Sequence, residues 1–335
     1  MMWKPGRFFR KAEFTGVDIG TEYIKVAAAR AASGAPEVTA LALAPTPPAA
    51  WSEGLLAGEV VAALEKIVAE AGAPAGKVIA AITGEKVISR DIRVPPMPRK
   101  ELESALRWEA ERYIPVPLEE LVVRSVVLGE VKGERGPELH VLLAAAPERL
   151  VRNYYELFLR AGLNLVAVDL QSLALWRLFV GASRQKGAGS WVILDIGAKF
   201  SQLVIVRDGE MAYTRVLPQG GSGFEGIKTL DGSGSGPELS EINSAIFRMA
   251  FEDYARQVRR SLDWYLTQER QSTIERVLLS GGAANIEGIP GHLAELLGVP
   301  VEIGEPPVRF NSRLRQTYNP SFAVAIGLAL WELVR

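Results

Sequence analysis

Two short stretches carry an acid followed two residues later by a glycine at the end of an apolar run. They are "GVDIGTEYIKV", with Asp18, Gly20 and Thr21, and "VILDIGAKFSQLVIV", with Asp195, Gly197 and Ser201. The glycine lets backbone N–H groups approach phosphate oxygens, the hydroxyls add donors, and each carboxylate suits a divalent cation held through water. One Asp-x-Gly between strands is ordinary turn chemistry. Two of them, 195 − 18 = 177 positions apart, describe a clamp closing on one polyphosphate from both sides. Lys25, four positions past Thr21 on the returning strand, faces either the phosphates or the opposite side of the sheet. A third piece, "VLLSGGAANIEG", sets Gly281 and Gly282 between a strand and a helical start, where bare backbone suits the flat of a nucleoside or an ordinary strand-to-helix loop.

The elements that must position these residues are legible in the periodicity. "FTGVDIG", "YIKVAAAR" and "EVTALALA" predict three strands, followed by a helix in "LLAGEVVAALEKIVAEAG". "KVIAAITGEKVISRDIRVP" predicts another strand pair, closed by Pro95, Pro96 and Pro98 before the helix "RKELESALRWEAERY". A hairpin over Val122–Pro147 turns within Lys132–Pro137, and the helix "ERLVRNYYELFLRAG" ends at Gly162. After "LNLVAVDL" and "QSLALWRLFV", the polar "RQKGAGS" marks a boundary, and the three-strand order then repeats in "WVILDIG", "FSQLVIVRDG" and "EMAYTRVLP". A long helix containing Arg256, Arg259 and Arg260 on one face, the strand "RVLLSGG", the helix "GIPGHLAELLG" and a terminal helix in "NPSFAVAIGLALWELV" complete the chain. The stretch Asp231–Ser240, "DGSGSGPELS", has linker composition and reads either as a surface loop or as a linker in place of a longer folded element.

Bulk properties narrow the functions. At 335 residues with 48% hydrophobic content, the chain buries two ordinary cores, and a net charge of −1 offers no field to attract nucleic acid. The absence of cysteine excludes a disulfide framework, and His140 and His292 alone do not make a structural zinc site. The basic start "MMWKPGRFFRKA" lacks the apolar core of a secretory signal, and no run of about 18 apolar residues follows, so a cytoplasmic protein is expected.

In this order, phosphate turn, connecting helix, second phosphate turn and Gly-Gly loop resemble the actin-like ATPase superfamily over essentially the whole chain. Within it, "ISRDIRVPPMPRKELESALRWEAERYIPVPLEEL", "AGLNLVAVDLQSLAL" and "NPSFAVAIGLAL" resemble the PilM family of type IV pilus assembly, with "RWEAERYIPVPLEE" the most discriminating. That resemblance implies an α/β, actin-like fold of two duplicated ribonuclease-H-like domains. Residues 1–183 would form the first, with a small inserted subdomain near 84–147; residues 184–335 would form the second, with a C-terminal helix near 319–334. It implies ATP with Mg2+ as ligands. Asp18, Gly20, Thr21 and Lys25 would serve the first turn, and Asp195, Gly197, Lys199 and Ser201 the second. Gly281, Gly282 and Asn285 would line the adenosine, and Asp18 and Asp195 would hold the metal through water. Lys199 stands where the resemblance leads one to expect a small hydroxyl residue; it either alters the second turn or supplies an extra phosphate charge. Arg259 and its neighbours lie either near the base or on a solvated face.

The matching water-positioning residue is Gln171, with Asp169 as the nearby carboxylate, which implies slow or no hydrolysis. The implied partner is the N-terminal cytoplasmic tail of a PilN-type bitopic inner-membrane protein. Trp108, Tyr113, Ile88 and Ile92 are either groove walls for that tail or core packing. Other pilus inner-membrane components, self-association and a place at the inner face of the cytoplasmic membrane through partners are part of the same expectation. The alternatives on the same fold are an FtsA-like cytoskeletal protein, a small-molecule kinase, which would need a carboxylate base in the cleft, and a pseudo-ATPase that binds partners without nucleotide.

Overall fold

The computed structural model describes residues 13–82, 84, 87–114, 117–133, 136–183, 188–222, 237–269, 272–314 and 318–334. The basic start and residues 231–236 of the Gly-Ser stretch lie outside them; Pro237–Ser240 begin a helix.

The chain begins with a meander of β1 (Glu13–Ile19), β2 (Tyr23–Arg30) and β3 (Glu37–Pro45), then a short turn α1 (Ala49–Ser52) and helix α2 (Gly58–Ala71). Helix α2 buries Val60, Leu64, Ile67 and Val68, a single apolar stripe, and Gly72 at φ 65° ends it in the left-handed conformation. β4 (Val78–Ile82) follows. After an excursion come α4 (Glu148–Arg160), β8 (Leu165–Leu170) and α5 (Gln171–Trp176), which runs on into one π-helical turn over Arg177–Gly181. The second half repeats the plan with β9 (Ser190–Ile196), β10 (Ser201–Arg207), β11 (Glu210–Leu217), α6 (Pro237–Gln268), β12 (Ile274–Ser280), α7 (Ile289–Leu297) and β13 (Val301–Ile303). The two sheets have the same order, β3-β2-β1-β4-β8 and β11-β10-β9-β12-β13. In both, the first three strands are antiparallel neighbours and the last two join in parallel. Central strands β1 and β9 are buried on both faces, which is why they read as unbroken apolar runs rather than as alternation.

The excursion forms a small subdomain with a sheet of its own: β5 (Ile88–Val94), α3 (Arg99–Tyr113), β6 (Leu121–Gly133) and β7 (Gly136–Pro147), in the order β5-β7-β6 with α3 on one face. Here the sequence expectation needs correction. "KVIAAITGEKVISRDIRVP" does hold two strands, but they do not pair; β4 lies between β1 and β8, whereas β5 pairs antiparallel with β7. The subdomain also reaches the second lobe. Asp91 of β5 accepts the Thr214 N–H of β11 at 3.3 Å, and Arg93 pairs with Glu269, which also binds Arg207 at 2.6 Å.

The C-terminus crosses back. β14 (Arg309–Phe310) adds to the outer edge of β3, and after a 3₁₀ turn over Pro320–Phe322 helix α8 (Ala323–Ala329) packs on β1, β2 and β4 of the first sheet. The terminal helix expected over 319–334 in the second unit is therefore shorter and seated on the first. Its small residues explain the fit. A Cβ on Gly16 of β1 would lie 2.0 Å from the Ala325 carbonyl oxygen, and one on Gly327 would lie 2.0 Å from that of Ala174 in α5. Helices α5 and α8 also meet Ile193, Val204 and Val206 of the second sheet, so this cluster is the core shared by both lobes. Gly327→Ala is expected to cost about 1–3 kcal/mol in urea unfolding. Gly291→Ala, in open space on α7, should be neutral or stabilising by up to about 1 kcal/mol; equal effects would discount the close approach.

Candidate functional site

Between the lobes lies a cleft of about 470 Å³, within the range of roughly 300–1,000 Å³ typical of small-molecule sites. Both Asp-x-Gly turns open onto it. In the first, Gly20 N–H donates to the Tyr23 carbonyl at 3.0 Å, and in the second Gly197 N–H donates to the Phe200 carbonyl at 3.0 Å. Each hairpin thereby presents its acid, its glycine and the following residues to the same space. Asp18, Gly20, Thr21, Lys25, Gln171, Asp195, Gly197, Lys199, Gly281, Gly282 and Asn285 all line the cleft.

The register of β1 and β2 resolves the orientation of Lys25. Asp18 and Lys25 are direct cross-strand partners, so their side chains share a face, and Nζ meets Asp18 Oδ2 at 2.9 Å. Asp18 Oδ1 accepts Gln171 Nε2 at 3.3 Å. Burial opposes the charge of Lys25, but Asp18 first, then Asp195 and Glu22, more than offset it and raise its pKa. The second hairpin lacks such a cation. Opposite Asp195 stands Gln202, turned to Thr214 Oγ1 at 2.7 Å, and the partner of Asp195 is Ser280 Oγ at 2.8 Å from the parallel strand β12. Burial, reinforced by Asp18 and opposed by the Ser280 hydrogen bond and Lys25, pushes Asp195 up to about 6.

The third wall is backbone. Gly281 has φ 85°, and a Cβ there would lie 2.4 Å from the Ile196 carbonyl oxygen. Conformation and space thus both require glycine. Asn285 Nδ2 donates to the Gly282 carbonyl at 3.1 Å and to Asn319 Oδ1 at 3.0 Å, tying this loop to the segment that enters α8.

Several expected residues stand elsewhere. Ser201 is buried behind its turn, donating to the Gln219 carbonyl at 2.8 Å and accepting from Tyr254 OH at 3.0 Å. Asp169 points away from the cleft into an ion pair with Arg177 at 2.9 Å. Arg259 is exposed and donates to the Leu296 carbonyl, and Arg256 pairs with Asp253, so this face is solvated. Ile92 lies in the core of the small subdomain, Ile88 is half-buried against it and Trp108 is exposed; the side chain of Tyr113 lies outside those described. A groove of about 730 Å³ does run along α3 and β6, with Leu102, Leu106, Val123 and Val127 on its apolar walls and Arg107 and Arg124 beside them.

Sequence reasoning missed Ser280, Glu22, Asn319 and Ser321. Glu22 and Asn319 line the cleft with Ser321, and Ser280 reaches Asp195 from the neighbouring strand. Ser280 adjoins the Gly-Gly pair, but only the β9–β12 register reveals its partner.

Chemically, the arrangement offers backbone donors, two lysines and two facing carboxylates, with a glycine-rich floor. It fits a nucleotide polyphosphate. Among the described residues no group of three or more His, Cys, Asp or Glu side chains could hold a metal ion. No helix among them is long and apolar enough to cross a membrane.

Comparisons with known proteins agree with the fold. The family model for type IV pilus assembly protein PilM matches residues 16–229 and 237–333. A solved structure, the PilM-PilN type IV pilus biogenesis complex, is similar with a TM-score of 0.80 and 30% identity, over 97% of this chain and 100% of that one. The ethanolamine utilization protein EutJ from Carboxydothermus hydrogenoformans shares the fold, with a TM-score of 0.53 and 16% identity over 95% of this chain and 89% of that one.

Proposed function

This chain belongs to the PilM family of type IV pilus assembly proteins, with an actin-like fold, and from that premise we propose that it is an ATP-binding scaffold of pilus assembly. It holds nucleotide between its lobes and grips the N-terminal tail of a PilN-type inner-membrane protein. The observation that carries the nucleotide reading is the convergence of two duplicated Asp-x-Gly turns on one cleft, with Lys25 between them and Gly281 beneath. Asp18 and Asp195 would face a hydrated Mg2+ accompanying the phosphates, and the metal would supply charge neutralisation there. Lys25, Gly20, Gly197 and the Gly281–Gly282 loop would bind and orient the nucleotide.

Slow turnover follows from the side chains. Gln171 is a neutral amide engaged with Asp18, and Asp169 is committed to Arg177 outside the cleft, so neither is placed as a general base. Glu22 lies on the exposed rim. The tail of the partner fits the α3–β6 groove better than the surface around Trp108, because the groove offers apolar walls flanked by arginines. With such a tail holding it, the protein sits at the inner face of the cytoplasmic membrane.

Titration with Mg-ATP is expected to show saturable binding that Asp18→Ala and Asp195→Ala each weaken roughly ten- to hundredfold, the cost of losing a charged hydrogen-bonding partner in a buried site. A synthetic tail of the PilN type should bind the wild type and be weakened by Val127→Asp, on an exposed wall of the groove. Nucleotide binding left intact in both aspartate variants would move the site elsewhere, and no saturable binding would leave a partner-binding pseudo-ATPase.

A further inference from the structure

The cleft carries its own positive charges, and they are arranged differently on the two turns. On the first, Lys25 Nζ is 2.9 Å from Asp18 Oδ2 and would be 2.6 Å from a Cβ on Gly20, so the ammonium lies directly over the turn. Both oxygens of Asp18 are then engaged, one by Lys25 and the other by the Gln171 amide. On the second turn, the hairpin has no such cross-strand cation, because Gln202 occupies the position that corresponds to Lys25. Lys199 stands instead within the turn itself, exposed, lining the same cleft, and in no ion pair among the described residues. Each turn is thus furnished with one lysine, one cross-strand and one within the loop.

Resting on the nucleotide reading above, we infer that Lys199, the cleft lysine in no ion pair among the described residues, shares the charge neutralisation of the polyphosphate with the divalent cation, so that it contributes more to ATP binding without that cation than with it. An ammonium attached to the protein need not be recruited from solution. A metal ion roughly halves the charge that a triphosphate presents. When it is withdrawn, Lys199 meets the full charge, and its contribution grows rather than stays constant. Lys25 and Asp18 offset each other as an ion pair, which leaves Lys199 as the added positive charge.

The test is calorimetric titration of the full chain with ATP, in excess Mg2+ and separately in EDTA, for wild type, Lys199→Gln and Lys199→Arg. Wild type should lose affinity on passing from Mg2+ to EDTA, where Asp195 meets the phosphates with no cation between them. Lys199→Gln should lose several times more in EDTA than in Mg2+, and Lys199→Arg should follow wild type. Equal losses for Lys199→Gln in both buffers, or a larger loss in Mg2+, overturn the inference while leaving the ATP reading intact. Absence of binding in the Mg2+ arm is a separate result, and it refutes the ATP reading itself. Because Lys199 is exposed on a turn, circular dichroism should show unaltered folding in both variants.

Discussion

Arg177→Met is expected to lower the stability of the protein by about 3–5 kcal/mol at neutral pH, the usual cost of removing one partner of a buried ion pair. Arg177 Nη2 meets Asp169 Oδ2 at 2.9 Å with both side chains almost fully buried, its Nη1 donates to the Gly327 carbonyl at 3.0 Å, and its guanidinium lies 5.1 Å from the Trp331 ring. One side chain therefore ties the end of β8, the π-helical turn after α5 and helix α8 together in the core shared by both lobes. Burial already raises the pKa of Asp169, and Arg177 and the Leu170 N–H oppose that rise. Without Arg177 the rise is larger, the carboxyl protonates more readily in the folded state, and the destabilisation is greatest at high pH and shrinks as the pH falls. The double variant Asp169→Leu/Arg177→Met should recover most of the loss, since no buried charge is then left unpaired. Urea denaturation at two pH values checks both points; a loss below about 1 kcal/mol would show that the pair behaves as a surface bridge. Asp169→Asn should leave ATP affinity unchanged, which separates this structural acid from Asp18 and Asp195.

The contrast between these acids shows where sequence is informative. The hairpin that carries Asp18 and Lys25 is readable from the acid, the glycine and the returning strand, whereas the face that Lys25 takes is settled only by the register of its two strands. The duplication is readable for the same reason, as each copy is built from neighbouring elements. Ser280 requires a parallel register between strands far apart in sequence, and no local signal specifies it. The strand pair expected across Val78–Val94 fails likewise: the apolar runs announce two strands but not which sheet each one joins. Trp108 and Ile92 were decidable by period. Leu102, Leu106 and Ala110 set the buried stripe of α3, and Trp108, two residues past Leu106, falls on the other side. In β5, Asp91 and Arg93 face the second lobe while Ile92 and Val94 turn inward by alternation. The seating of α8 depends on contact between Gly16 and Ala325, which only the assembled fold brings together.

Asp195→Asn is expected to stabilise the ligand-free protein and to abolish most of its nucleotide affinity at the same time. In the folded state burial raises Asp195 to about 6, against about 3.9 in an unfolded chain. An acid shifted upward holds its proton more tightly when folded, so the folded state binds more protons between these two values. Stability then falls as the pH rises through that window, and the full penalty, about 3 kcal/mol for a shift of roughly two units, is present above pH 6 and absent below about pH 4. Asparagine removes the ionisation while its carbonyl still accepts the Ser280 hydroxyl, so the gain at pH 7.5 should approach that figure, less the cost of placing the new amide N–H groups. Unfolding of wild type and variant at pH 4 and 7.5 tests the sign: the curves should converge at the lower pH and separate at the higher, with the variant more stable. A variant less stable at pH 7.5, or a difference independent of pH, would mean that Asp195 is not strained by its burial. The same charge that destabilises the empty cleft is the one proposed to face the hydrated metal accompanying ATP, so the site retains a destabilising group for the sake of its ligand. Bound Mg-ATP should then narrow the stability gap between wild type and Asp195→Asn, because the ligand stabilises only the protein that can hold it.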